Sequence, residues 1–323
     1  MDGLNRRTLL GLGAATGLGV WLAGCSNAPA PIPTAASGSG SGGRGIDVGA
    51  YDAIITGGPV ADAAALSASP WATRIKNNGV LQRGGTESGA IFSLRDPLSG
   101  RVTGFDAGIG DLLAHYILGG QDVTKLVNLQ QTSVDTRETM LQNNTVDVVV
   151  ATYSITPERA KKIAFAGPYY SSGAAVQVKA DNTTIKTVKD LAGKTVATES
   201  NSTGITAINS NVDGAKVVLF PDNESCVAAV LQGRAEAYVL DESILLSNVV
   251  QNPQLKVVGQ PFTQDPYGIG LNRDDPSAKQ FVNSFLTAIF NSGDWAKLWS
   301  ATVGKYVDAA APTPPEIGSV PGS

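Results

Sequence analysis

Short β-branched runs alternate along this chain with segments whose apolar residues recur every three or four positions. The first pattern reads as buried or half-buried strand, the second as helix. Strands are expected at 80–83, 127–129, 146–151, 195–198, 217–220, 237–240 and 255–258, with extended segments at 174–179 and 267–271. Between them fall helical patterns. Asp106 can cap a helix that carries Ile109, Leu112, Leu113 and Tyr116 on one face. Asp135 or Thr136 can start another through Met140 and Leu141. Residues 187–191 and 224–232 form shorter ones, each stopped by a glycine, and Pro276 opens a long one with Phe281, Phe285, Ile289 and Phe290. Such alternation implies an α/β architecture with mainly parallel sheets. Two series of units, before and after 174–179, imply two lobes.

The pattern changes at both ends. Arg6-Arg7 precede an apolar run from Leu9 to Leu22, then Ala23-Gly24-Cys25. A charged start, a short apolar core and small residues make residues 1–24 a signal peptide. The run is short of the roughly 20 residues that span a bilayer, so a retained anchor is the weaker reading. Residues 25–50 are rich in Ser, Gly, Ala and Pro and read as a flexible tether. Tyr51, Ile54, Ile55, Trp71 and Ile75 suggest that 51–78 pack on the body. Residues 308–323, again rich in Pro, Ala and Gly, read as a flexible tail.

The 323 residues leave room for two domains. A net charge of −4 and the lack of a basic stripe exclude a nucleic-acid partner. The single histidine, His115, lies in an amphipathic segment, which gives no support for a zinc site or a Ser-His-Asp triad. No cofactor is implied. Cys226 shares a helical face with Val227, Val230 and Leu231 and reads as an inert core thiol.

Ligands of open α/β sheets gather at the C-terminal ends of strands. Three such ends carry suitable chemistry here. Thr152 and Ser154 follow the 146–151 run, and Thr156-Pro157-Glu158 makes a capped helix start beside Arg159. A guanidinium fork next to free backbone N–H groups suits a carboxylate. Ser202-Thr203 stand at a second strand end and Asp241 at a third.

In this order and spacing, the pieces Gly104-Phe105-Asp106, Ser154-Ile155-Thr156-Pro157-Glu158-Arg159, Ala166-Gly167-Pro168-Tyr169-Tyr170, Asp190-Leu191-Ala192-Gly193-Lys194 and Ala235-Glu236-Ala237-Tyr238-Val239-Leu240-Asp241 resemble the bacterial extracellular solute-binding proteins of family 3, the amino-acid-binding components of ABC importers. The wider likeness is to actinobacterial glutamate-binding lipoproteins. The resemblance implies a two-lobed type II periplasmic-binding fold, with 79–176 and 271–307 in lobe one, 177–270 in lobe two, and hinges near 174–179 and 268–271. It implies no enzyme activity. It assigns Arg159, Thr152 and Ser154 to the ligand α-carboxylate and its surroundings, Ser202 and Thr203 to closure from lobe two, and Asp241 to the α-ammonium. Arg137, fifteen positions before Thr152, matches the arginine that meets an acidic side chain, so glutamate or a related acidic or amide amino acid is the implied ligand. Thr86 and Glu87 are candidate wall residues. Relatives that carry a cysteine at the Ala197 position can bridge to the Cys226 equivalent, which this chain cannot do.

Leu22-Ala23-Gly24-Cys25 also resembles the lipobox of bacterial lipoproteins, and Asn5-Arg6-Arg7-Thr8-Leu9-Leu10 a twin-arginine signal. These imply export by Sec or Tat, lipid on Cys25, and residence at the outer face of the cytoplasmic membrane beside an ABC permease. Two other functions remain open: a ligand-sensing subunit for a membrane signalling partner, and a dehydratase on the same fold.

Overall fold

The computed structural model describes residues 45–307 and 309–323. The segment expected to be a signal peptide, the expected lipidation site Cys25 and most of the expected tether fall outside the described residues. Among the described residues no helix is long and apolar enough to cross a membrane.

Among the described residues three helices precede the first strand: α1 (Val48–Thr56), α2 (Ala63–Ala68) and α3 (Pro70–Asn78). Helix α1 begins inside the segment expected to be tether, because Asp47 caps it by accepting from Ala50 N–H at 3.1 Å. Tyr51, Ile55, Trp71 and Ile75 are buried in the largest hydrophobic cluster. The 45–78 segment is therefore part of the body.

Lobe one then runs β1 (Leu81–Gly85), a small hairpin sheet of β2 (Ser88–Gly89), β3 (Ser93–Arg95) and β4 (Val102–Thr103), helix α4 (Phe105–Leu118), β5 (Val127–Gln131), α5 (Arg137–Gln142), β6 (Val148–Val149), α6 (Pro157–Ala160) and β7 (Ala164–Ser172). Lobe two comprises β8 (Ala174–Lys179), β9 (Thr195–Glu199), α7 (Thr203–Asn211), β10 (Lys216–Phe220), α8 (Asn223–Leu231), β11 (Ala237–Asp241), α9 (Glu242–Gln251) and β12 (Leu255–Val258). The chain returns to lobe one with β13 (Asp265–Leu271), α10 (Pro276–Asn291) and α11 (Asp294–Ala301).

Two five-stranded sheets result among the described residues, in the orders β5-β1-β6-β13-β7 and β10-β9-β11-β8-β12. In each, two parallel pairs adjoin two antiparallel ones: β13 runs antiparallel to β6 and β7 in the first sheet, and β8 to β11 and β12 in the second. Both strand orders follow the two-lobed periplasmic-binding plan.

The crossings lie elsewhere than the sequence suggests. Residues 174–179 are a strand inside the second sheet, and β13, including 265–270, pairs within the first. The chain passes over at Gly173 and returns through Pro261, Phe262 and Thr263. Ala174 N–H donates to Thr263 Oγ1 at 2.7 Å, and Phe262 N–H to the Ala174 carbonyl at 2.9 Å. A Cβ at Gly173 would stand 2.2 Å from the Thr263 carbonyl oxygen, so only glycine allows this approach. Extended runs on both sides of each crossing look alike in sequence, which is why the boundary was misplaced.

Residues 309–323 carry no helix or strand, but they pack. Gly318 N–H donates to the Gly167 carbonyl at 2.8 Å, and Val320 lies against the cluster that holds Leu141, Tyr153 and Phe165. Proline excludes regular hydrogen bonding from such a segment without excluding burial of its few apolar side chains.

Candidate functional site

The C-terminal ends of β1, β6, β9 and β11 face one cleft between the two sheets. Its cavity has a volume of about 550 Å³, and eight of the nine cleft residues singled out from the sequence line it: Thr86, Arg137, Thr152, Ser154, Arg159, Ser202, Thr203 and Asp241. Glu87 turns away and pairs with Arg95.

Arg159 sits in the short helix α6. Thr156 caps it by accepting from Arg159 N–H at 3.2 Å, with Pro157 in the first turn. The guanidinium donates to the Ser154 carbonyl at 2.9 Å and to the Asn201 carbonyl of lobe two at 3.3 Å. Arg137, at the start of α5, is also buried and donates to the Ala151 carbonyl at 3.3 Å. Its neighbour Glu138 pairs with Lys162 instead. Both cations share one aromatic floor: the guanidinium carbons of Arg137 and Arg159 lie 3.7 and 5.3 Å from the centre of the Tyr153 ring. Among the described residues neither is in an ion pair. Burial, then the neighbouring Arg159 charge, push Arg137 down to about 10. Two close guanidiniums with no anion between them make a site for a carboxylate.

Asp241 stands opposite, at the end of β11. It occupies the position before α9 but makes no side-chain cap. Its carboxylate instead accepts from Tyr267 Oη at 2.6 Å, Thr203 Oγ1 at 3.3 Å and Ser154 Oγ at 3.5 Å. Burial and then the nearby Asp265 raise it to about 7. Thr203 opens α7, with Ser202 before it, its hydroxyl donating to the Glu199 carbonyl at 2.7 Å.

Thr152 has φ of 42°, in the left-handed region that disfavours a β-branched residue. Its N–H donates to Asp106 Oδ2 at 2.6 Å, and Tyr169 donates to Oδ1 at 2.7 Å. Asp106 therefore does not cap α4 as the sequence suggests. Helix α4 begins at Phe105, so this carboxylate lies inside the first turn and is turned toward the ligand loop.

Sequence reasoning missed Glu199 and Tyr267. Glu199 ends β9, lines the cavity and accepts from Tyr238 Oη at 3.1 Å; burial raises it to about 7. The strand-end rule that found Asp241 could have found it too. Asn201 and Asp135 also close the rim, at 2.7 Å across the lobes. Cys226 is fully buried, and burial pushes its thiol well up, consistent with a core role. Among the described residues no cluster of His, Cys, Asp or Glu could hold a metal ion.

Comparison with known proteins bears on the fold and the family. The model of the bacterial extracellular solute-binding proteins, family 3, matches residues 84–304. The ABC transporter glutamine-binding protein GlnH of Bacillus subtilis is 30% identical over 70% of this chain and 81% of its own length. The glutamate-binding protein GluB of Corynebacterium efficiens is 30% identical over 66% of this chain and 75% of its own. The crystal structure of a mutant ArgBP from T. maritima superposes with a TM-score of 0.64 at 29% identity, over 72% of this chain and 99% of that one.

Proposed function

Since the chain belongs to the bacterial extracellular solute-binding proteins, family 3, amino-acid-binding components of ABC transporters and not enzymes, we propose that its ligand is glutamate. In this reading Arg159, Thr152 and Ser154 hold the α-carboxylate, Ser202 and Thr203 close on it from lobe two, and Asp241 holds the ammonium. Arg137 meets the side-chain carboxylate, and Thr86 forms part of the wall.

One observation carries the choice of an acidic amino acid. Two buried guanidiniums, Arg137 and Arg159, make no ion pair among the described residues and share the cleft with two acids, Asp241 and Glu199, that burial raises to about 7; in this reading Asp241 ionises against the ligand ammonium and Glu199 stays protonated. A ligand with two carboxylates and one ammonium balances that set. Each ligand charge then exchanges water for a fixed counter-charge. Micromolar affinity requires about 8 kcal/mol net, within reach of several charge-assisted hydrogen bonds.

The protein is held at the outer face of the membrane by lipid on Cys25 and delivers its ligand to a permease. A diacylated cysteine supplies enough buried chain for stable anchoring, where a single acyl chain is marginal. Calorimetry with Glu, Asp, Gln, Asn, Arg and His tests the ligand: glutamate should bind tightest, and tightest binding by arginine would overturn the reading. Metabolic labelling with a fatty acid should mark the parent chain and not Cys25→Ser.

A further inference from the structure

A third buried cation lies behind the cleft. Arg83, in β1, is 1% exposed and does not line the cavity. Its Nη1 donates to the Asp106 carbonyl at 3.1 Å, and its Nε has no hydrogen-bond partner among the described residues. Gly110 leaves room for it: a Cβ there would stand 2.4 Å from Arg83 Cδ.

Two buried acids of α4 lie in its field, Asp106 and Asp111. Asp111 accepts from Tyr51 Oη at 3.3 Å, and the same hydroxyl reaches the Gly104 carbonyl at 3.2 Å. Tyr51 belongs to the 45–78 segment, which precedes the family match. Asp106 holds the N–H of Thr152 in its strained backbone conformation. A carboxylate in a dry interior keeps its charge only beside a compensating one.

We propose that Arg83 is a positioning residue for the ligand cleft: its buried charge keeps Asp106 ionised, and ionised Asp106 holds Thr152 and the loop leading to Arg159 in the binding conformation. Tyr51 steadies the same network from the other side by holding Asp111. The groups that face or act on Asp106 are Arg83 from β1, Tyr169 and Tyr170 from β7 and the Thr152 N–H after β6; Asp111, which shares the field of Arg83, also meets Tyr51, Arg101 and Asp52. Burial raises Asp106 to about 6, while Tyr169, Thr152 and Arg83 pull it down.

The Thr152 amide is a direct reporter. Its proton resonance in the unliganded protein should titrate with one midpoint as Asp106 ionises. Arg83→Met should raise that midpoint, the direction in which removing a nearby opposite charge moves a carboxyl. Arg83→Lys should restore most of the shift, Asp111→Asn should lower the midpoint, and Asp106→Asn should abolish the titration. The acid limb of glutamate affinity should move with it. An unchanged midpoint in Arg83→Met overturns the proposal. If that variant does not fold, an unchanged midpoint in Asp111→Asn overturns it. The amide measurement needs no ligand, so an incorrect ligand assignment cannot mimic its result.

Discussion

The phenol of Tyr267 lies 2.6 Å from Asp241 Oδ2, so a side chain of the lobe-one sheet already donates to the acid that ends a lobe-two strand. Ser243 completes the group at 2.6 Å from the same phenol. Removing the donor with Tyr267→Phe leaves a buried carboxylate short of one partner. A hydrogen bond to a charged group is worth roughly 1.5–3 kcal/mol, so glutamate affinity should fall about tenfold or more. Unchanged affinity by calorimetry would mean that the ring only spaces the lobes.

Binding should release a proton near neutrality. Asp241, at about 7 in the empty cleft, holds a proton that an unfolded chain has lost. Its contribution to stability is full below the ordinary carboxylate value of about 4 and is lost as pH rises through about 7. An ammonium ligand requires the anion. Affinity should therefore weaken by up to about tenfold per pH unit below 7. Calorimetry at about pH 6.5 in buffers of different ionisation enthalpy counts the proton; none released would place the ammonium away from Asp241.

Arg137→Met separates acid from amide. Leaving a buried carboxylate without its cation costs about 3–5 kcal/mol, so glutamate should lose on the order of a hundredfold or more. Glutamine should lose far less. Equal losses for the two would make Arg137 a support for Tyr153, over which it stacks at 3.7 Å.

Gly173→Ala tests the crossing. The added methyl would meet the Thr263 carbonyl at 2.2 Å, and the backbone must yield. Strain of this kind costs about 2 kcal/mol, which lowers Tm by roughly 5 °C in a protein of this size. A thermal melt that matches the parent would show the crossing to be more pliable than its geometry implies.

Much of this was legible in the sequence because the strand ends are chemically marked. Asp241 closes an apolar run, and Thr156-Pro157-Glu158 announces a helix start beside Arg159. The α/β class followed from alternation, the two-lobed plan from the family resemblance, and the eight cleft residues from strand ends and resemblance together. What escaped is non-local. Nothing near Tyr267 in the chain points to Asp241, because the pairing exists only once the two sheets face each other. Asp106 looked like a helix cap because capping is a local rule, whereas its partners, Thr152 and Tyr169, are distant in sequence. The hinge was misplaced for a related reason: strand and crossing are both extended, and only sheet pairing tells them apart.

The two crossings are bonded to each other, Ala174 to Thr263 and Phe262 to Ala174. Tied in this way, they form a single bonded seam between the lobes. Contacts on the rim, such as Asn201 with Asp135, add a second link between the lobes. An opening of the cleft that kept both bonds would turn the lobes about this seam, and a partner touching both lobes would then meet an altered surface without touching the ligand.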